Sequence, residues 1–86
     1  MANLITSGTS ELDSTEFTLT TDSATLFITG AADGNARATV KIKGADGTFS
    51  IVGELTKQFP GKVLTGAGTY KVTRCAAGAA FGVDKN

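Results

Sequence analysis

The 86-residue chain predicts an all-β fold: a small antiparallel β-sandwich or jelly roll of six to seven short strands, with an extended N-terminal arm. Three observations carry this. Apolar and polar residues alternate with period two in several runs, the pattern of strands with one face on a core. Short clusters of Gly, Asp, Asn and Pro separate those runs. No stretch sustains a helical period, and 14 of the residues are β-branched Thr.

The arm, residues 1–14, holds only scattered apolar side chains. It has neither a basic n-region nor a long apolar h-region, so it does not read as a signal peptide. Leu4, Ile5 and Leu12 are its candidate docking residues. A single β-sandwich domain is expected over residues 15–86. Glu16-Phe17-Thr18-Leu19-Thr20 alternates, with Phe17 and Leu19 on one face. Thr21-Asp22-Ser23 is turn chemistry. Ala24-Thr25-Leu26-Phe27-Ile28-Thr29 is rich in β-formers and suits a strand covered on both faces. Residues 30–35 read as a loop. Residues 36–43 alternate without a fault, Ala36, Ala38, Val40 and Ile42 against Arg37, Thr39, Lys41 and Lys43.

Asp46-Gly47 then signals a two-residue type I′ hairpin. In that geometry opposed residues sum to 93, so Ile42 faces Ile51, Gly44 faces Phe49 and Val40 faces Gly53. The apolar residues of both strands then share one face, and a one-residue slip would break the agreement. Residues 54–61 read as a loop or short edge segment ending in the turn pair Pro60-Gly61. Lys62-Val63-Leu64-Thr65 suits a short strand, and Gly66-Ala67-Gly68 a turn. Thr69-Tyr70-Lys71-Val72-Thr73-Arg74 alternates with Tyr70 and Val72 inward. Cys75-Ala76-Ala77-Gly78 is a loop of small residues. Ala79-Ala80-Phe81-Gly82-Val83 closes the domain, with Phe81 and Val83 on one face.

Composition excludes several chemistries. The chain has no His and one Cys, which removes disulfide frameworks, Cys/His zinc sites and histidine acid–base catalysis. No run of 18 apolar residues suits a membrane helix. Lys and Arg are dispersed and aromatics are few, so neither nucleic-acid binding nor glycan stacking is favoured. Ala32-Asp33-Gly34 and Ala45-Asp46-Gly47 read as repeated turns, because the later carboxylates of a calcium loop are missing. Pro60-Gly61-Lys62-Val63 lacks the first glycine and the hydroxyl residue of a phosphate loop. Cys75 reads as a small half-buried residue. No catalytic residue, metal ligand or cofactor is therefore expected.

Charge is balanced overall, with eight cations and eight anions, but not along the chain. Residues 1–35 carry five carboxylates and no cation, while residues 36–86 carry all eight cations and three carboxylates. Two readings follow: complementary surfaces within one domain, or an acidic arm laid on a basic face of a neighbour. Leu, Ile, Val and Phe supply only 20 residues. So thin a core gains from any partner that binds the folded state alone.

The strand Gly68-Thr69-Tyr70-Lys71-Val72-Thr73-Arg74, the closing Phe81-Gly82-Val83-Asp84, and the runs 50–56 and 25–30 resemble small virion proteins of tailed bacteriophages. The likeness spans roughly residues 24–84. The resemblance implies a head decoration, or cement, protein: a non-enzymatic β-sandwich made in the host cytoplasm and bound outside the capsid. It implies the major capsid protein and copies of itself as partners, with a trimer as the first expectation. The alternative is a tail or fibre module recognising a host-surface glycan. A small hydrolase or lysis factor, from a third class, is disfavoured by the absence of His.

Overall fold

A computed structural model describes residues 2–20, 23–30, 36–76 and 78–86. The expected turns at 21–22 and 31–35 lie outside the described residues. The chain is all-β. Its strands are β1 (Ala2–Gly8), β2 (Leu12–Asp13), β3 (Phe17–Leu19), β4 (Ala24–Thr29) and β5 (Arg37–Lys43). There follow β6 (Phe49–Thr56), β7 (Gly61–Leu64), β8 (Gly68–Arg74) and β9 (Phe81–Lys85).

All pairings are antiparallel, and they form two sheets. One runs in the order β1-β9-β4-β7. The other runs β2-β8-β5-β6, with β3 beside β2 on the same flank of β8. The inner faces meet as the alternation requires. Ala38, Val40, Leu55 and Val72 come from one sheet, and Ile5, Leu26, Phe81 and Val83 from the other, each at most 1% exposed. Phe17 stacks on Tyr70 with ring centroids 5.9 Å apart. The Tyr70 hydroxyl donates to the Gly66 carbonyl at 3.1 Å, so the one phenol is satisfied at the core's rim.

The sequence expectation for residues 1–14 needs correction. They are extended, but residues 2–8 are strand β1 of this chain's own sandwich, paired to β9, and Leu12–Asp13 is paired to β8. Ile5 is 1% exposed, because it pairs with Val83 and closes one flank of the core. The sandwich therefore begins at β1, not at residue 15.

Arg74 fixes this arrangement. It follows Tyr70 and Val72 on the inward face and is 3% exposed. Its Nε donates to the Ser10 carbonyl at 2.8 Å, and its Nη1 donates to the carbonyls of Thr6 and Phe81. One guanidinium thus ties β8 to β1, to the β1–β2 connection and to β9.

The hairpin expectation is half right. β5 and β6 pair, and Val40 faces Gly53 as expected. The turn, however, is a three-residue loop. Gly47 N–H donates to Gly44 C=O at 3.0 Å, Gly44 N–H donates to Thr48 C=O at 2.8 Å, and Gly47 has φ +87°. This is a type I turn closed by a left-handed glycine. Near the turn the register becomes Lys43↔Phe49, Ile42↔Ser50 and Lys41↔Ile51. An irregularity at Val52 restores the expected register beyond it. Ile42 and Ile51 consequently lie on opposite faces, with Ile42 half-buried and Ile51 60% exposed. Residues 54–56, expected outside a full strand, continue β6.

Candidate interaction surface

Unpaired strand edges are the usual place where a β-sandwich meets another chain. Here each flank is modified. β1 is register-shifted between Asn3 and Ile5 and again between Ile5 and Gly8. β2 and β3 are two and three residues long. β6 carries the irregularity at Val52. β7 turns Lys62 inward, opposite the fully buried Leu26. Bulges, short strands and inward charges all oppose strand addition.

Lys62 shapes the β6/β7 flank. Its stem crosses towards β6 and passes over Gly53. A methyl group placed on Gly53 would lie 2.3 Å from Lys62 Cε. Gly53 thus makes room for the aliphatic stem, and Lys62 as a whole stays half-buried, as amphipathic side chains allow. Beside it opens a groove of about 350 Å³. Ile42, Val52, Val63, Leu64 and Tyr70 supply its apolar walls, and Lys62 is its cation. Val52 and Val63 are 45% and 58% exposed. Among the described residues Lys62 makes no ion pair.

The β6–β7 turn displays a second apolar feature. Phe59 is 72% exposed. Its backbone is braced, since Phe59 N–H donates to Thr56 Oγ1 at 3.1 Å and Thr56 N–H donates to Phe59 C=O at 3.1 Å. Ile28 N–H donates to the next carbonyl, that of Pro60, at 2.9 Å. The ring is therefore held out on an ordered support.

The outer face of the β2-β8-β5-β6 sheet is polar and of mixed charge. One cross-strand row is Asp13–Thr73–Thr39–Glu54, and the next includes Lys71, Lys41 and Ile51. Thr73 Oγ1 donates to Asp13 Oδ1 at 2.7 Å, and Lys71 Nζ lies 3.4 Å from Asp13 Oδ2. The Thr73 hydroxyl holds the Asp13 carboxyl below its ordinary value, and Lys71 and Lys41 add to the effect. Lys43 pairs with Glu16 at 3.7 Å, and Lys71 also lies over the Phe49 ring at 4.4 Å. The acidic N-terminal segment and the basic remainder thus meet within one domain, at Asp13–Lys71 and Glu16–Lys43.

The three residues read from sequence as docking positions separate. Ile5 is core. Leu4 is half-buried and packs against the core. Leu12 remains 44% exposed, at the β2 edge. The groove at β6/β7 and the braced Phe59 were not read as sites. The exposed parity of Val63 in the short run 62–65 was the one available signal, and it depends on a partner strand, β4, nearly 40 residues away in sequence. Cys75 is a free, half-buried thiol. Among the described residues no three His, Cys, Asp or Glu side chains converge as metal ligands. The assembled features are suited to recognition by apolar contact with a peripheral charge.

Comparison of the chain with protein-family models, with curated proteins and with solved structures finds no match.

Proposed function

We propose that this is a non-enzymatic virion structural protein, a capsid decoration protein that binds the outer shell and stabilises it as a homo-oligomer. The observation that carries the proposal is Phe59, a large apolar ring 72% exposed on a turn braced by its own hydrogen bonds. An aromatic whose backbone is already braced needs less further ordering when a partner covers it, and such residues dominate interface energies. The blocked strand edges agree, since they limit indiscriminate sheet pairing among many copies crowded on a surface. The strand sequences that resemble phage virion proteins supply the choice of partner, the major capsid protein. Repeated modest contacts across neighbouring capsomers raise shell stability through multivalency and mass action.

The test is electron microscopy of purified particles of the source phage, with and without this chain, followed by add-back of the purified protein. The expected result is density for the sandwich on the capsid exterior, higher heat resistance of decorated shells, and reduced occupancy for Phe59→Ser. Density confined to the tail or fibres would favour the glycan-binding alternative. Absence of the chain from the particle would overturn the proposal.

A further inference from the structure

We infer that the β6/β7 groove is the socket of a head-to-tail contact between copies of this chain, and that its occupant is Leu12 of the next copy, with Glu11 of that copy against Lys62. The inference rests on the reading of the protein as a self-assembling structural subunit and names the surface that reading requires. The socket is apolar, about 350 Å³, and carries the Lys62 ammonium, which has no carboxylate partner among the described residues. It calls for an apolar side chain with an adjacent anion. Glu11-Leu12 supplies that pair. Both residues are exposed, Leu12 at 44%, and Glu11 makes no ion pair among the described residues. Leu12 sits at the edge of the sheet because, among the described residues, no further strand lies beyond the two-residue β2.

The placement of the two features decides the symmetry. In the order β2-β8-β5-β6 the knob lies on one lateral edge and the socket on the other. Val52, the socket's β6 wall, is three strand spacings from β2, roughly 14 Å at 4.7–4.9 Å each, and Ile42 of β5 and Tyr70 of β8 line the socket between them. Knob and socket are different patches on opposite edges, so the contact is heterologous. Heterologous contacts close into rings when the rotation permits and otherwise propagate. The Asp13–Lys71 and Glu16–Lys43 pairs are already made within the domain, so Glu11 and Lys62 remain available for the contact between copies. Strand addition is not required, in keeping with the irregular β6 and the inward lysine of β7.

The experiment is sedimentation velocity of the purified full-length chain across a concentration series. Wild type is expected to form a concentration-dependent oligomer. Leu12→Ser removes the knob and Val63→Ser weakens the socket, both at exposed positions, and each is expected to weaken association at least tenfold while circular dichroism stays unchanged. An equimolar mixture of the two variants is the sharper arm. One retains a socket and the other a knob, so the mixture must yield a 1:1 dimer and nothing larger. Glu11→Lys and Lys62→Glu should each weaken assembly, and the double charge reversal should restore it. If Lys62→Glu disturbs folding, Lys62→Met keeps the stem over Gly53 and should abolish only the salt dependence. A wild-type monomer at every concentration, oligomers indifferent to Leu12→Ser and Val63→Ser, or a mixture that stays monomeric overturns the inference. A chain that assembles in this way but never occupies particles overturns the functional proposal alone. A monomer that still decorates shells overturns this inference and the homo-oligomeric part of the functional proposal, and leaves decoration itself standing.

Discussion

Arg74 donates from Nε to the Ser10 carbonyl at 2.8 Å, joining the last residue of β8 to a connection 64 positions earlier in the chain. Nη1 of the same guanidinium bonds Thr6 and Phe81. Among the described residues no carboxylate is involved, and the bonds to the buried cation come from peptide carbonyls. Arg74→Met should therefore leave these carbonyls short of a donor and loosen β1 first. A loss of about 1–3 kcal/mol is expected, the range for orphaned buried polar groups. Arg74→Lys should recover only part of it, because an ammonium lacks the planar fork that spans separate acceptors. Urea denaturation gives the magnitude. Amide exchange gives the location, with protection falling in β1 before β5. Equal loss in both strands would contradict the tie.

Gly82 is required by proximity. A β-carbon there would lie 2.5 Å from the Ile5 carbonyl oxygen and 3.1 Å from the Ser7 nitrogen, both backbone atoms of β1. Backbone cannot swing aside as a side chain can, so Gly82→Ala should push β1 from β9 at about 1–3 kcal/mol, the range for overpacking. At Gly53 the nominal clash is closer, 2.3 Å, but it falls on the far end of the Lys62 side chain. Gly53→Ala should therefore displace Lys62 and cost less. Thermal unfolding of the two variants side by side checks the order, and a larger drop for Gly53→Ala would reverse the argument.

What was legible in the sequence was local. Alternation over residues 36–43 and 69–74 placed Val40, Tyr70 and Val72 correctly, because parity depends only on the chain's own pleat. Docking of β1 was not legible, since pairing with β9 joins the two ends of the chain and Ile5 has no alternating neighbours to announce it. Arg74 shares the inward parity of Tyr70 and Val72. Parity alone does not reveal what would satisfy a buried charge there, because the carbonyls that do so come from residues 6, 10 and 81. The hairpin shows a subtler limit. Asp-Gly serves a two-residue type I′ turn and also a type I turn closed by a left-handed glycine. The two differ by one residue in register, and the extra residue at Val52 cancels that difference farther along. Ile51 is therefore turned out beside Lys41, while Val40 still meets Gly53. The socket was illegible for the same reason as β1, because β5, β6, β7 and β8 each contribute to it.

Gly47 isolates a backbone effect. Its φ is +87°, and a β-carbon added there would have no neighbour within 4 Å. Gly47→Val should thus cost only the left-handed penalty of an L-residue, about 1–2 kcal/mol. Gly47→Asn should cost markedly less, because Asn tolerates that region. Urea midpoints should fall in the order glycine, asparagine, valine with slopes unchanged. Equal midpoints for the asparagine and valine variants would show that φ is not the limiting factor.

Asp13 sets an expectation for acid. Its carboxyl titrates below the ordinary 3.8, chiefly through the Thr73 hydroxyl, with Lys71 and Lys41 adding attraction. A carboxyl that binds its proton less readily when folded stabilises the fold above its unfolded pKa. That contribution fades as pH falls through 3.8 and the lower folded value. Asp46 acts in the same direction, because Thr48 N–H donates to its Oδ1 at 3.0 Å. Half of the Asp13 side chain is in solvent, so its share at neutral pH should stay under about 1 kcal/mol. Asp13→Asn should lower stability slightly at pH 7 and flatten the decline between pH 5 and 2, leaving a residual slope from Asp46. High salt should narrow the difference between variant and wild type, because the Lys71 and Lys41 contributions are screened while the Thr73 hydrogen bond is not. Denaturation midpoints measured across that pH range at two ionic strengths test it. An acid slope unchanged by Asp13→Asn would assign the proton-linked stability to other carboxylates.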